Sequence, residues 1–254
     1  MELEVMVILT QLGNFITWLF AAFILQWRGK AKEARTLTAG LLVCFILSTV
    51  LKHLLKLPRP PIEGWLTTVE DPYGFPSGHA TIAFFVATYF SLKDKRALIL
   101  YPMAITVAFT RVALGVHYIH DLIGGALLGI AIAFISNYAE KLNLKMDPKV
   151  ILALTIPLSI ALYAAFPLRP SLASGLTLGL ALSYIIKSDG NTLSPLYMLV
   201  GLLLAALFLV CYEYSGLVVV EVISSCAFIL YPLSIHPKIY ESMLTEDLLA
   251  EQGA

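Results

Sequence analysis

The stretch GVHYIHDLIGGALLGIAIAFISNYAEKL, Gly115–Leu142, holds a run from Leu122 to Ala139 without a single charge, entered through His117, His120 and Asp121 and left through Glu140 and Lys141. Crossing ~30 Å of hydrocarbon at ~1.5 Å per residue takes about 20 apolar residues, with ~17 to 25 observed. The run is apolar all round, whereas a helix covering a soluble core carries a polar face at helical spacing. It reads as a membrane-spanning helix with its ionisable groups at the ends.

Outward from it, eight more such runs follow the same pattern: Val5 to Trp27, Thr36 to Leu51, Pro76 to Leu92, Ala97 to about Val116, Val150 to Leu168, Ser171 to Ile186, Leu193 to Tyr212 and Ser215 to Ile235. With 254 residues, 59% apolar, 13% charged and a mean hydropathy of +0.83, the chain cannot clothe itself in a water-facing surface. The expected fold is all-α, a polytopic membrane bundle of about nine helices. Seventeen basic against seventeen acidic residues leave no net charge, which excludes a nucleic-acid partner. Cys44, Cys211 and Cys226 lie inside apolar runs without metal-ligand spacing, so neither a disulfide framework, a metal nor another cofactor is implied. The acidic start Met1-Glu2-Leu3-Glu4 and the absence of a small-residue cleavage pattern predict that the first helix is retained.

Basic residues in short loops stay on the cytoplasmic side. With nine spans, alternate loops collect twelve cations on one side (Arg28, Lys30, Lys32, Arg35, Lys93, Lys95, Arg96, Lys141, Lys145, Lys149, Lys187 and Lys238) and five on the other (Lys52, Lys56, Arg59, Arg111 and Arg169). This places the N-terminus outside and the tail from His236 inside. Residues 1–140, with five spans, hold nearly all the polar groups near membrane boundaries; 141–235 supply four more helices, and 236–254 form a cytoplasmic tail. The longest external loop, Lys52 to Phe75, is rich in Pro and Gly and reads as an ordered connector.

Three clusters fall on the outer side. In KHLLKLPRP, Lys52 and Arg59 supply a compact charge and a planar fork of donors, the pair suited to phosphate oxygens; taken singly, Lys52 also reads as a snorkelling side chain. In FPSGHA, Ser77, Gly78 and His79 open the third run, where a helix N-terminus favours an anion and Gly78 lets it approach; Ser77 as a plain N-cap is the alternative. In TRVALGVHYIHD, Arg111 precedes His117 and Asp121. If the helix continues there, the latter two share a face, so the carboxylate can hold Nδ1–H and free Nε2 as a nucleophile; a histidine simply satisfied by a neighbouring carboxylate is the alternative. Three clusters converging on one face, against the charge bias of the other loops, describe one site.

These residues resemble the tripartite pattern of the type-2 phosphatidic acid phosphatase superfamily: Lys52, six residues, then Arg59-Pro60; Pro76-Ser77-Gly78-His79; and Arg111, five residues, His117, three residues, Asp121, with Thr110 where serine is usual. The resemblance covers Lys52 to Asp121. Two spans before the first cluster, and nine in all, resemble the glucose-6-phosphatase and sphingosine-1-phosphate phosphatase layout. It implies metal-independent phosphoryl transfer through a phosphohistidine: His117 as nucleophile, Asp121 fixing its tautomer, His79 as acid and base, and Lys52, Arg59, Ser77, Gly78 and Arg111 binding phosphate. Lys56, His53, His120 and Glu221 are possible substrate contacts, Glu221 because an ionisable group within a span is functional or partnered. A site at the outer boundary suits a lipid phosphate or polyprenyl diphosphate entering from the leaflet. The nine-span layout keeps open a phosphatase for a soluble sugar phosphate, a lipid phosphotransferase would share every motif residue, and a transporter is the non-enzymatic alternative.

Overall fold

The computed structural model describes residues 3–69, 71–142, 147–166, 169–186, 195–214, 216–239 and 242. The run boundaries Leu168, Leu193 and Ser215, the loop cations Lys145 and Lys187, Met1-Glu2 and most of the tail lie outside them. The regular elements among the described residues are all helical: α1 (Leu3–Thr10), α2 (Phe15–Trp27), α3 (Ala31–Leu55), α4 (Gly78–Ser91), α5 (Leu100–Ala113), α6 (Ile119–Leu142), α7 (Pro148–Ala165), α8 (Pro170–Ile185), α9 (Pro195–Tyr214) and α10 (Val218–Leu230), with short 3-10 turns between some of them.

Among the described residues, five helical segments are long and apolar enough to cross a membrane: Ala31–Leu55, Lys95–Ala113, Ile119–Leu142, Pro148–Ala165 and Val218–Ile239. A sixth arises if the first run, bent by 52° between Leu3–Gly13 and Phe15–Trp27, counts as one span. The first run is therefore not the continuous helix expected. Asn14 is extended and its Oδ1 accepts from Ile16 N–H at 3.0 Å, capping α2. Trp18 Nε1 (2.7 Å) and Thr17 Oγ1 (2.9 Å) donate to the carbonyls of Leu12 and Gln11 across the break. The expected run Pro76 to Leu92 yields only the 14 residues of α4, roughly 21 Å at ~1.5 Å per residue. α8 is likewise short, at 16 residues.

The chain forms two compact units, residues 1–19 with 39–144 and residues 20–38 with 145–254. In the first, α4 lies at the centre, burying Ala80, Ile82, Ala83, Phe85, Val86, Ala87 and Tyr89. Small residues let its neighbours come close, as at helix interfaces in membranes. A Cβ at Gly125 of α6 would stand 2.6 Å from Ser77 O, and one at Gly129 would run into Thr81 O and lie 2.8 Å from Phe85 N. Ala83 and Ala87 pack with Ala104 and Val107 of α5. Ser77 N–H donates to Asp121 O (3.0 Å) where α4 and α6 start. Beyond the far end of α4, Lys93 Nζ (2.6 Å) joins Tyr89 OH (2.9 Å) on the Glu140 carboxylate. The two helices thus run parallel, and the starts of α4 and α6 share one end of the unit.

In the second unit, α8 packs on α10 through Gly175, where a Cβ would meet Val222 O at 2.6 Å. Phe23 meets Phe228 edge-on at 5.4 Å, and Trp27 Nε1 donates to Pro232 O at 2.8 Å.

Candidate active site

The helix does not continue through the third cluster. α5 ends at Ala113, and Leu114–Tyr118 form a loop before α6. Gly115 turns it with φ +75°, and a Cβ there would strike Gly64 O, so the left-handed turn and the close approach both call for glycine. His117 therefore projects from a loop and Asp121 from the first turn of α6. They still meet: His117 Nδ1 lies 3.0 Å from Asp121 Oδ2, which also accepts from Tyr118 N–H at 3.0 Å. That second bond caps the start of α6 from its third residue, as in a capping box, so one carboxylate ends the helix and orients the imidazole.

The connector between α3 and α4 folds onto this loop. Leu66 N–H donates to Leu114 O (3.0 Å), and Gly74 N–H to Leu57 O (2.9 Å). Arg59 becomes its hub: Nε donates to Asp71 O (2.8 Å), and Nη1 donates to Val116 O (2.7 Å) and reaches His117 Nε2 at 3.1 Å. A guanidinium only donates. Nε2 must therefore offer its lone pair, the proton sits on Nδ1 facing Asp121, and the imidazole is neutral. Burial pushes the His117 pKa down to about 4; the Asp121 bond pulls upward but is outweighed, and Arg59, Lys52 and Arg111 add to the depression.

The other expected site residues fall as follows. Lys52 occupies the last turn of α3, buried, with Nζ 3.7 Å from Asp71 Oδ2. Arg111, in the last turn of α5, donates through Nη1 to Thr10 Oγ1 of α1 (3.1 Å) and keeps a buried Nε without a partner. His79, in the first turn of α4, lies within electrostatic reach of Arg111, His117, Lys52 and Arg59. Its Cβ and carbonyl would be 3.0 Å from a Cβ at Gly13. Ser77 caps α4, accepting from Ala80 N–H at 3.5 Å. Its own N–H is taken by Asp121 O, so it is not among the amides free for an anion. A Cβ at Gly78 would meet nothing nearer than Ser48 Oγ at 3.6 Å, leaving approach room at the helix start.

His53 Nε2 is 3.6 Å from Asp71 Oδ2, and His120 Nε2 is 3.2 Å from Asp121 Oδ1 with its ring stacked on Tyr118. Lys56 follows α3 with φ +52° and is exposed. Glu221 lies in the first turn of α10, in the other unit, where it accepts from Ser171 Oγ at 2.6 Å; the partner expected of an intramembrane carboxylate is present. Among the described residues, no group of three or more His, Cys, Asp or Glu is arranged to hold a metal.

Two neighbours of the motif residues escape a motif-based reading, Asp71 and Thr10. Their signals are faint: an Asp-Pro turn inside a Pro-rich loop, and a threonine beside Gln11 and Asn14 within an otherwise apolar run.

A family model described as the PAP2 superfamily matches residues 33–145, which enclose all three clusters. An undecaprenyl-diphosphatase of Sulfolobus acidocaldarius is 30% identical over 142 residues, 53% of this chain and 69% of that protein. The chain belongs to the PAP2 superfamily. Within this superfamily it is also similar to phosphatidylglycerophosphatase B of Bacillus subtilis, 30% identical over 39% of this chain and 54% of that one. Dolichyldiphosphatase 1 of Dictyostelium discoideum is 31% identical over 41% and 52% respectively. The chain thus spans between about half and two thirds of these PAP2 relatives. No solved structure matches it. Thr10 and helices α7 to α10 lie outside the matched residues.

Proposed function

We propose that this protein is an integral membrane phosphatase that hydrolyses a lipid phosphate or polyprenyl diphosphate at the extracytoplasmic face through a phosphohistidine. The observation that carries the reading is His117: a buried, neutral imidazole whose Nδ1–H faces Asp121 and whose Nε2 lone pair faces the Arg59 guanidinium. Such an atom is a poised nucleophile, and only an electrophile that the cations also bind can use it.

In the first step Nε2 attacks phosphorus in line, the bond from phosphorus to the leaving oxygen breaks, and His79 gives that oxygen its proton. In the second, water attacks the phosphohistidine, its proton passes to His79, the P–N bond breaks and phosphate departs. Asp121 holds the tautomer and stabilises the imidazolium as it develops. Lys52, Arg59, Arg111, the start of α4 at Gly78 and the Ser77 hydroxyl take the charge spreading over the equatorial oxygens. No step calls for a metal.

The charge asymmetry of the loops supports a topology with the N-terminus outside, the C-terminus inside and about nine membrane-embedded helices, the short α4 and α8 among them. Residues 1–140 form the phosphatase core with five of these helices, 141–235 the four that follow, and 236–254 the tail. The apolar helices of the chain and the lipid-directed names of the relatives support a lipid substrate.

The test is phosphate release by purified protein, with a chelator present, from a long-chain prenyl diphosphate, a lipid monophosphate and glucose 6-phosphate. The lipid substrates should turn over at low concentration and His117→Ala should be nearly inactive. Turnover by His117→Ala at the wild-type rate, or a clear preference for glucose 6-phosphate, would overturn the proposal.

A further inference from the structure

The mechanism leaves one buried carboxylate at the site unused. Asp71 is 5% exposed and is fixed at two points: Oδ1 accepts from Tyr73 N–H at 2.9 Å, and its main-chain oxygen accepts from Arg59 Nε at 2.8 Å. Its other carboxylate oxygen, Oδ2, has no hydrogen-bond partner. The nearest groups are Lys52 Nζ at 3.7 Å and His53 Nε2 at 3.6 Å, and both Lys52 and Arg59 feel its charge.

These distances are those of an ion pair without a hydrogen bond. A buried ammonium needs a countercharge, and a carboxylate at this range provides one. Because the contact is long, Lys52 is free to turn onto a phosphate oxygen when one arrives. Once phosphate is bound, the same carboxylate is a like charge at the edge of the anion pocket and weakens its hold. We infer that Asp71 is a positioning residue of the phosphate clamp: the counterion of Lys52 before phosphate arrives, and the charge that limits how tightly inorganic phosphate is retained. The inference rests on the phosphatase reading above.

The sign of the effect separates this role from a structural one. Neutralising a residue that merely supports the loop would weaken phosphate binding. Neutralising a competing charge strengthens it, while turnover slows because product leaves more slowly. Asp71→Asn keeps the acceptor for Tyr73 N–H, and Asp71→Ser, a second neutral variant, can cap the same turn. The experiment titrates inorganic phosphate against full-length protein in detergent, read by thermal shift and by competitive inhibition of hydrolysis.

Expected is phosphate binding about ten-fold tighter in either neutral variant, the low end of what one charge at ~4 to 6 Å does to a neighbouring equilibrium, with kcat and KM both reduced. Asp71→Glu, which keeps the charge, should bind phosphate close to wild type. In a Lys52→Met background the gain from Asp71→Asn should shrink, because the pair is coupled, leaving only the direct repulsion between carboxylate and phosphate. Phosphate binding unchanged or weaker in the folded neutral variants, or a gain undiminished without Lys52, overturns the inference. If wild-type protein neither hydrolyses lipid phosphates nor is stabilised by phosphate, the proposed function falls and this inference with it. If it does both and only the variants disobey, the role of Asp71 alone is wrong.

Discussion

The protonation of His117 gives the sharpest test of the site. Its Nε2 accepts from Arg59 and its pKa is depressed to about 4, against ~6.5 for an unperturbed histidine. At pH 5.5 the imidazole is then about 97% neutral, where an ordinary histidine would be only about 9% neutral. The acid limb of kcat/KM attributable to the nucleophile should therefore lie near pH 4, and activity lost nearer neutrality belongs to other groups. Linkage carries the same sign into stability. The folded pKa lies below the unfolded one, so the contribution is complete above pH 6.5 and is lost as pH falls through 6.5 towards 4, a change of about 3 kcal/mol for one buried site. The direct assay is a titration of ¹⁵N-histidine-labelled protein in detergent from pH 7.5 to 4, following the Nδ1 and Nε2 shifts of His117. Arg59→Met removes the donor that occupies Nε2 and should raise the midpoint. A His117 midpoint near 6.5 in the wild type, or one that Arg59→Met leaves in place, would refute the reasoning.

Brief incubation with ³²P-labelled substrate and an acid-free, alkaline quench should trap an acid-labile phosphoenzyme that is missing from His117→Ala, whose rate should fall by ~10²-fold or more. Thr10→Val removes the hydroxyl to which Arg111 donates; a hydrogen bond to a charged group contributes ~1.5 to 3 kcal/mol, so kcat/KM should fall by about ten-fold or more, and Thr10→Ser should restore most of it. Gly129→Ala places a Cβ against Thr81 O and 2.8 Å from Phe85 N. The overpacking should cost about 1 to 3 kcal/mol, seen as a lower Tm in detergent.

The site was legible wherever chemistry is tied to spacing. Lys52, His79 and Asp121 lie at helix ends, and helix ends follow the apolar runs, while Arg59 and His117 lie in the loops a few residues beyond such ends. The four-residue step from His117 to Asp121 even survived a wrong premise. The helix stops at Ala113, yet Gly115 turns the chain so that the histidine meets the carboxylate from a loop. Span counting was less secure, because hydropathy reports how apolar a run is and not how many of its residues join the helix. Asn14 divides the first run with a cap of its own, and Pro76 and Ser77 precede α4 without belonging to it. Asp71 and Thr10 were illegible for another reason. Their value lies in a partner brought by folding, and Thr10 stands 101 positions from Arg111.

The three cations of the proposed clamp are supported in three different ways. Arg59 is pinned by two main-chain carbonyls and an imidazole, Lys52 faces a carboxylate beyond hydrogen-bond distance, and Arg111 leans on a neutral hydroxyl with its Nε unpartnered. Each is less than one tenth exposed, as are Asp71 and Asp121, the two carboxylates around them. The three cations and the two carboxylates together carry one more positive than negative charge. Were each cation fully paired, a phosphate would have to break ion pairs to enter, and the attraction would be spent before binding. Were none paired, desolvation would destabilise the fold around them. Arg59 holds the architecture and the tautomer of His117, while Lys52 and Arg111 keep charge in reserve. A phosphate anion would bring charge of the sign that set lacks, and a neutral or cationic solute would not.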